Sequence, residues 1–138
     1  MKSLKQVLLF VAFATAIFSC KKDNADTNPA NDAHPGMMTG KWIGKFGFEE
    51  ETPSTYYSFT LKSDGTLEER NSSNEKIGEG TWSLTGTSFV AKHHYYSTTG
   101  TTFLDAATYN AQTKKLENGT WGYSNSSTDG GTWFMQKQ

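Results

Sequence analysis

The chain has 138 residues, 13 Lys+Arg against 14 Asp+Glu and a net charge of −1, which is the size of one domain. Beyond residue 19 it loses Lys2 and Lys5 and no acids, leaving 11 basic against 14 acidic side chains. With no basic stripe for a phosphate backbone, nucleic acid is excluded as a partner. A single cysteine excludes an internal disulfide framework and a multi-thiolate metal centre.

The first predicted element is an address. Lys2 and Lys5 form a positive n-region, and residues 7–18 are an apolar run too short to cross about 30 Å of hydrocarbon as a helix. Ile17-Phe18-Ser19-Cys20 then sets apolar residues and a small one before the chain's single cysteine. This run resembles the lipobox of bacterial lipoproteins. The resemblance implies a signal peptide over residues 1–19, lipidation of Cys20, and a membrane tether at the outer membrane of the cell envelope. Each buried methylene of the acyl chains contributes about 0.8 kcal/mol to such anchoring.

Residues 20–38 are rich in Lys, Asp, Asn, Ala and Pro without apolar periodicity, and are predicted to form the lipidated N-terminus and a flexible tether containing His34. Acidic residues after the cysteine favour surface export in Bacteroidota-type lipoproteins. Asp23 and Asp26 match that pattern, but Lys21 and Lys22 oppose it, so the periplasmic and surface faces both stay open.

The body, residues 39–138, shows no helical apolar period, while Thr, Tyr, Phe, Trp and Gly abound and turn signals recur every ten or so residues. Eight strands are predicted, near 40–48, 55–62, 66–71, 77–84, 88–96, 101–109, 115–124 and 131–137. Short connections favour an all-β, eight-stranded antiparallel up-and-down barrel over a two-sheet sandwich, which needs a long crossover.

Three hairpins have a predictable register. Glycine stands last in Ser63-Asp64-Gly65 and Thr98-Thr99-Gly100, as three-residue loops require. The first pairs Leu61 with Leu67 and Phe59 with Glu69. The second pairs Tyr95 with Phe103, His93 with Asp105, Ala91 with Ala107 and Phe89 with Tyr109. A two-residue turn at Thr85-Gly86 pairs Trp82 with Phe89, Gly80 with Ala91 and Gly78 with His93.

All four tryptophans lie in Gly-X-Trp, at Gly40/Trp42, Gly80/Trp82, Gly119/Trp121 and Gly131/Trp133. Alternation puts each Gly and its Trp on one face, a packing device in which glycine leaves room to bend. The first copy, in the first strand, resembles the Gly-X-Trp signature of lipocalins and the wider calycin group. With the lipobox it makes the chain similar to lipocalin-like lipoproteins of Bacteroidota. That resemblance implies a basic side chain covering Trp42, for which Lys137 is the nearest candidate.

His93 and His94 are strand neighbours that point to opposite faces, so they cannot chelate one metal. His93 facing Asp105 inside a barrel, with Gly78 and Gly80 beside it, is the best polar site candidate. The alternatives are a self-satisfied core pair, or a one-residue shift that brings Lys92 to Asp105 outside. Glu49-Glu50-Glu51 beside Pro53 reads as a solvated loop, without a calcium-loop pattern. No nucleophile elbow, P-loop, zinc-protease helix or cofactor motif is present, so neither catalytic residues nor a cofactor or metal is expected.

Three function classes follow. The first is a module binding a small, partly apolar ligand among Trp42, Tyr57, Phe59, Trp82, Phe89, His93, Tyr95 and Asp105. The second is a filled barrel that contacts an envelope protein partner as an interaction or inhibitor module, using loop ends and the outer members of Tyr56-Tyr57 and Tyr95-Tyr96. The third is an enzyme built on His93 and Asp105, which has no nucleophile to support it.

Overall fold

Among the described residues, alternating Thr, Tyr, Phe and Trp between Gly- and Asn-bearing turns produces eight strands and almost no helix. A computed structural model describes residues 35–138; the expected signal peptide, Cys20 and tether residues 20–34 lie outside the described residues. A short helix α1 (Pro35–Met38) precedes β1 (Gly40–Phe46), β2 (Thr55–Leu61), β3 (Thr66–Arg70), β4 (Lys76–Thr85), β5 (Ser88–Tyr95), β6 (Phe103–Asn110), β7 (Lys115–Tyr123) and β8 (Gly131–Lys137). Neighbours in sequence pair antiparallel, and β1 pairs with β8, closing the barrel and leaving no sheet edge.

Two of the predicted hairpin registers are corrected. Leu61 opposes Leu67 and Phe59 opposes Glu69 as expected. In β5–β6, however, His93 opposes Phe103, Ala91 opposes Asp105 and Phe89 opposes Ala107, a shift of two residues. The cause is a longer loop, residues 96–102, in which Thr98 N–H turns back onto the Tyr95 carbonyl. In β4–β5 the turn is Gly86-Thr87, with Gly86 at φ +58°, so Trp82 opposes Ala91, Gly80 opposes His93 and Gly78 opposes Tyr95. Both shifts are even, so every inward side chain stays inward.

The barrel has two different ends. At the closed end, where α1, the β2–β3, β4–β5 and β6–β7 turns and the C-terminus meet, the interior is solid with Met38, Trp42, Leu61, Leu67, Phe89, Tyr109, Leu116 and Met135, each almost fully buried. Residues 35–38, expected in the tether, instead belong to the fold: the Trp42 indole donates to the Met38 carbonyl at 2.7 Å, and the Met38 side chain plugs the barrel. Lys137 stands opposite Trp42, but its ammonium donates to the Met37 carbonyl at 2.5 Å. The expected cover over the indole is thus a clasp on α1. Among the described residues the cation over a ring is Lys76, above Tyr96 at 5.6 Å.

All four Gly-X-Trp tryptophans point inward. Two copies interlock across β7–β8, where Gly119 opposes Trp133 and Gly131 opposes Trp121. A Cβ on Gly119 would stand 2.6 Å from the Trp133 ring, so this glycine is the space the neighbouring indole occupies. Each indole N–H is satisfied by a backbone carbonyl: Trp42 by Met38, Trp82 by Lys62, Trp121 by Gly47 and Trp133 by Thr120.

Candidate functional site

Toward the open end, where the β1–β2, β3–β4, β5–β6 and β7–β8 loops gather, four strands send polar side chains into the barrel. Tyr57 comes from β2, Glu69 from β3, His93 from β5 and Asp105 from β6, and all are buried. The Tyr57 hydroxyl donates to Asp105 Oδ1 at 2.9 Å, and His93 Nε2 lies 2.8 Å from Asp105 Oδ2 and 3.1 Å from the Tyr57 oxygen. His93 Nδ1 approaches Glu69 Oε2 at 3.1 Å, but off axis, so neither atom has a well-aligned partner. The approach spans β4, whose Gly78 and Gly80 oppose Glu69 and His93 and carry no side chain between them. A one-residue register shift pairing Lys92 with Asp105 is thereby excluded, since Asp105 is fully buried and Lys92 exposed.

The electrostatics follow from this geometry. Burial alone would pull the His93 pKa down, but the hydrogen bonds and charges of Asp105 and Glu69 outweigh it and raise the imidazole to about 9. With both ring nitrogens facing carboxylates, His93 is an imidazolium at neutral pH. Burial raises the Glu69 carboxyl above its ordinary value despite His93. Burial, then the charges of Asp105 and Glu69, push the Tyr57 phenol up, and burial with Glu69 does the same for Tyr95. Both tyrosines therefore remain protonated.

Above this cluster lies a recess of about 220 Å³ lined by Phe46, Phe48, Tyr57, His93, Tyr95, Thr98, Phe103, Trp121 and Tyr123. Its walls are interlocked rings: Phe46 meets Phe48 and Trp121 at 5.4 and 6.0 Å, Tyr95 meets Phe103 at 5.1 Å, and Trp121 meets Tyr123 at 5.5 Å. The Trp121 indole donates to the Gly47 carbonyl at 2.9 Å. Gly47 and Glu49 donate to Thr132 and Gly130 beside β8, which holds the β1–β2 loop and Phe48 against Trp121.

Of the eight side chains expected to hold a ligand, Tyr57, His93 and Tyr95 line this recess. Asp105 lies behind His93, and Phe59 packs under it with ring centroids 5.4 Å apart. Trp42, Trp82 and Phe89 sit in the packed closed-end half, where Trp82 and Phe89 stack at 6.3 Å. The sequence reading missed Glu69, although its pairing with Phe59 and the alternation from Leu67 already place it inward. Phe46 and Tyr123 were missed too, and each stands at an inward spacing from a tryptophan of its own strand, Trp42 and Trp121.

The Tyr57 O–H and the His93 Nε2–H are committed to Asp105, and no serine, threonine or thiol is hydrogen-bonded to His93 among the described residues. No family model, curated protein or solved structure matches the chain. Its class therefore rests on its own architecture, a closed eight-stranded antiparallel barrel filled at one end and recessed at the other.

Proposed function

We propose that this chain is a lipocalin-like envelope lipoprotein, tethered to the outer membrane through lipidated Cys20, whose barrel binds a small, largely apolar ligand at its open end. The observation that carries this reading is the recess itself: aromatic walls over a floor of Tyr57 and His93, in a barrel whose other half is packed solid. Ligand sites are concave, mainly apolar and fixed by a few convergent polar groups. At about 220 Å³ the recess lies below the usual range of about 300–1,000 Å³, which selects a compact molecule and not a long acyl chain.

Native mass spectra of the full chain, purified without denaturation and recorded before and after organic extraction, test this. A reproducible extra mass, removed by extraction and reduced in Phe48→Ala or Trp121→Leu, is expected. A bare mass with no uptake from lipid and metabolite extracts would overturn it.

A second reading has its own support. Phe48 and Tyr123 at the mouth are 49% and 44% exposed, and aromatic rims of this kind are used in protein contacts. A bare barrel that pulls down one envelope protein, and loses it on Phe48→Ala, would favour the interaction module.

A further inference from the structure

The recess also carries information about the charge of what it takes, and this inference rests on the binding reading above. Besides Tyr57 and His93 of the floor, six of its lining side chains, Phe46, Phe48, Tyr95, Phe103, Trp121 and Tyr123, are aromatic, and no Lys or Arg lines it. The face of an aromatic ring carries a negative quadrupole that attracts a cation, more strongly where water is excluded.

The floor selects in the same direction. The Tyr57 O–H is spent on Asp105 Oδ1 and His93 Nε2–H on Asp105 Oδ2, while His93 Nδ1–H faces Glu69, so the phenol presents its oxygen as an acceptor. Behind them Glu69 and Asp105 set two carboxyl groups against one imidazole, all at most 3% exposed. A carboxylate entering the recess would find no free donor on the Tyr57 and His93 floor, where two carboxyl groups face a single imidazolium.

We infer that the open-end recess is an aromatic cage for a compact organic ammonium, with Trp121, Phe103 and Phe46 among its walls and Tyr57 over the Glu69–His93–Asp105 cluster as its floor. Free amines and the choline-type headgroup of a lipid share this chemistry.

Calorimetry on the full chain in a nonionic maltoside detergent tests the inference with four probes. Choline, its neutral isostere 3,3-dimethyl-1-butanol and the acid 3,3-dimethylbutanoate share size and shape but differ in charge. Monomeric dihexanoylphosphatidylcholine presents the same cation on a lipid. Choline is expected to bind at least tenfold more tightly than the alcohol and the acid more weakly still. Trp121→Leu should remove the preference, and so should Tyr123→Leu at the half-exposed rim, where folding is least at risk. Dihexanoylphosphatidylcholine binding as well as choline would support the inference with a lipid headgroup as the source; binding of choline alone would support it with a free amine.

Equal affinity for choline and the alcohol, or tighter binding of the acid, would overturn the cation inference and leave the binding recess standing. If none of the four probes binds, the cation inference fails, while the binding reading stands or falls on the native mass spectra.

Discussion

His93 and Asp105 meet on a diagonal. His93 Nε2 stands 2.8 Å from Asp105 Oδ2, yet across the β5–β6 ladder His93 opposes Phe103 while Asp105 opposes Ala91. Same-face diagonal neighbours are within reach of long side chains, and the small Ala91 beside Asp105 leaves the imidazole room to lean across. This contact, with the Tyr57 hydroxyl on the other carboxylate oxygen, fixes the floor of the recess.

Asp105→Asn keeps the shape of that side chain and removes its charge. The His93 pKa should fall from about 9 toward or below the ordinary 6.5, since burial then acts with less opposition. Removing one partner of a buried ion pair costs about 3–5 kcal/mol, so the urea midpoint should fall as well. Imidazole proton shifts followed by NMR read the first effect, and a pKa that stays near 9 would refute the pairing. Glu69→Gln should lower the His93 pKa less, because the Glu69 approach is longer and off axis.

Stability should fall as pH rises through the neutral range. The folded His93 binds its proton more tightly than the unfolded chain, whose value is near 6.5, so its contribution is complete below about 6.5 and lost as pH rises through about 9. Glu69 is also raised in the folded state and acts with the same sign, its contribution fading above the ordinary carboxyl value of 4.5. Thermal melts between pH 6 and pH 10 should show a steadily falling midpoint, and a flat or rising one would contradict a buried imidazolium.

Gly80→Ala should cost about 3 kcal/mol or more, because its Cβ would lie 2.1 Å from the Lys92 carbonyl oxygen and 2.6 Å from the His93 Cα. Backbone atoms cannot swing aside as a side-chain tip can. Gly86→Ala meets nothing within 4 Å but sits at φ +58°, so it should cost only about 1–2 kcal/mol. Chemical denaturation of the two variants side by side separates crowding from backbone strain.

Met38→Ala should destabilise by about 2–5 kcal/mol, since this side chain is fully buried at the closed end. The open-end recess lies at the opposite end, so probe binding there should survive the substitution. Denaturation paired with calorimetry on one preparation checks both halves of the expectation.

Much of the barrel was legible in the chain because strand alternation is a local property. Strand positions near 40, 55, 66, 77, 88, 101, 115 and 131 follow from turn residues and period-2 patterning, and the observed strands begin within two residues of each. The inward placement of His93, Asp105, Trp82 and Phe89 also came through, because both register errors were of two residues and parity alone decides the face. Loop length was less legible: a glycine at φ +80° marks a turn at Gly100 without saying that residues 96–102 all belong to it.

By itself, then, the sequence determined an all-β chain, the inward face of its strands and the packing role of its Gly-X-Trp pairs, since each depends on neighbours a few residues apart. Only the tertiary structure decided which inward residues meet. Glu69 reaches His93 across a third strand, over Gly78 and Gly80, and Phe46, Phe103 and Trp121 become one wall only when β1 closes on β8. Ring closure and the tilt of strands around it are set by the sum of all eight pairings, so no single stretch of chain encodes them. The same closure fills one end with Met38 and Trp42 and leaves a recess at the other.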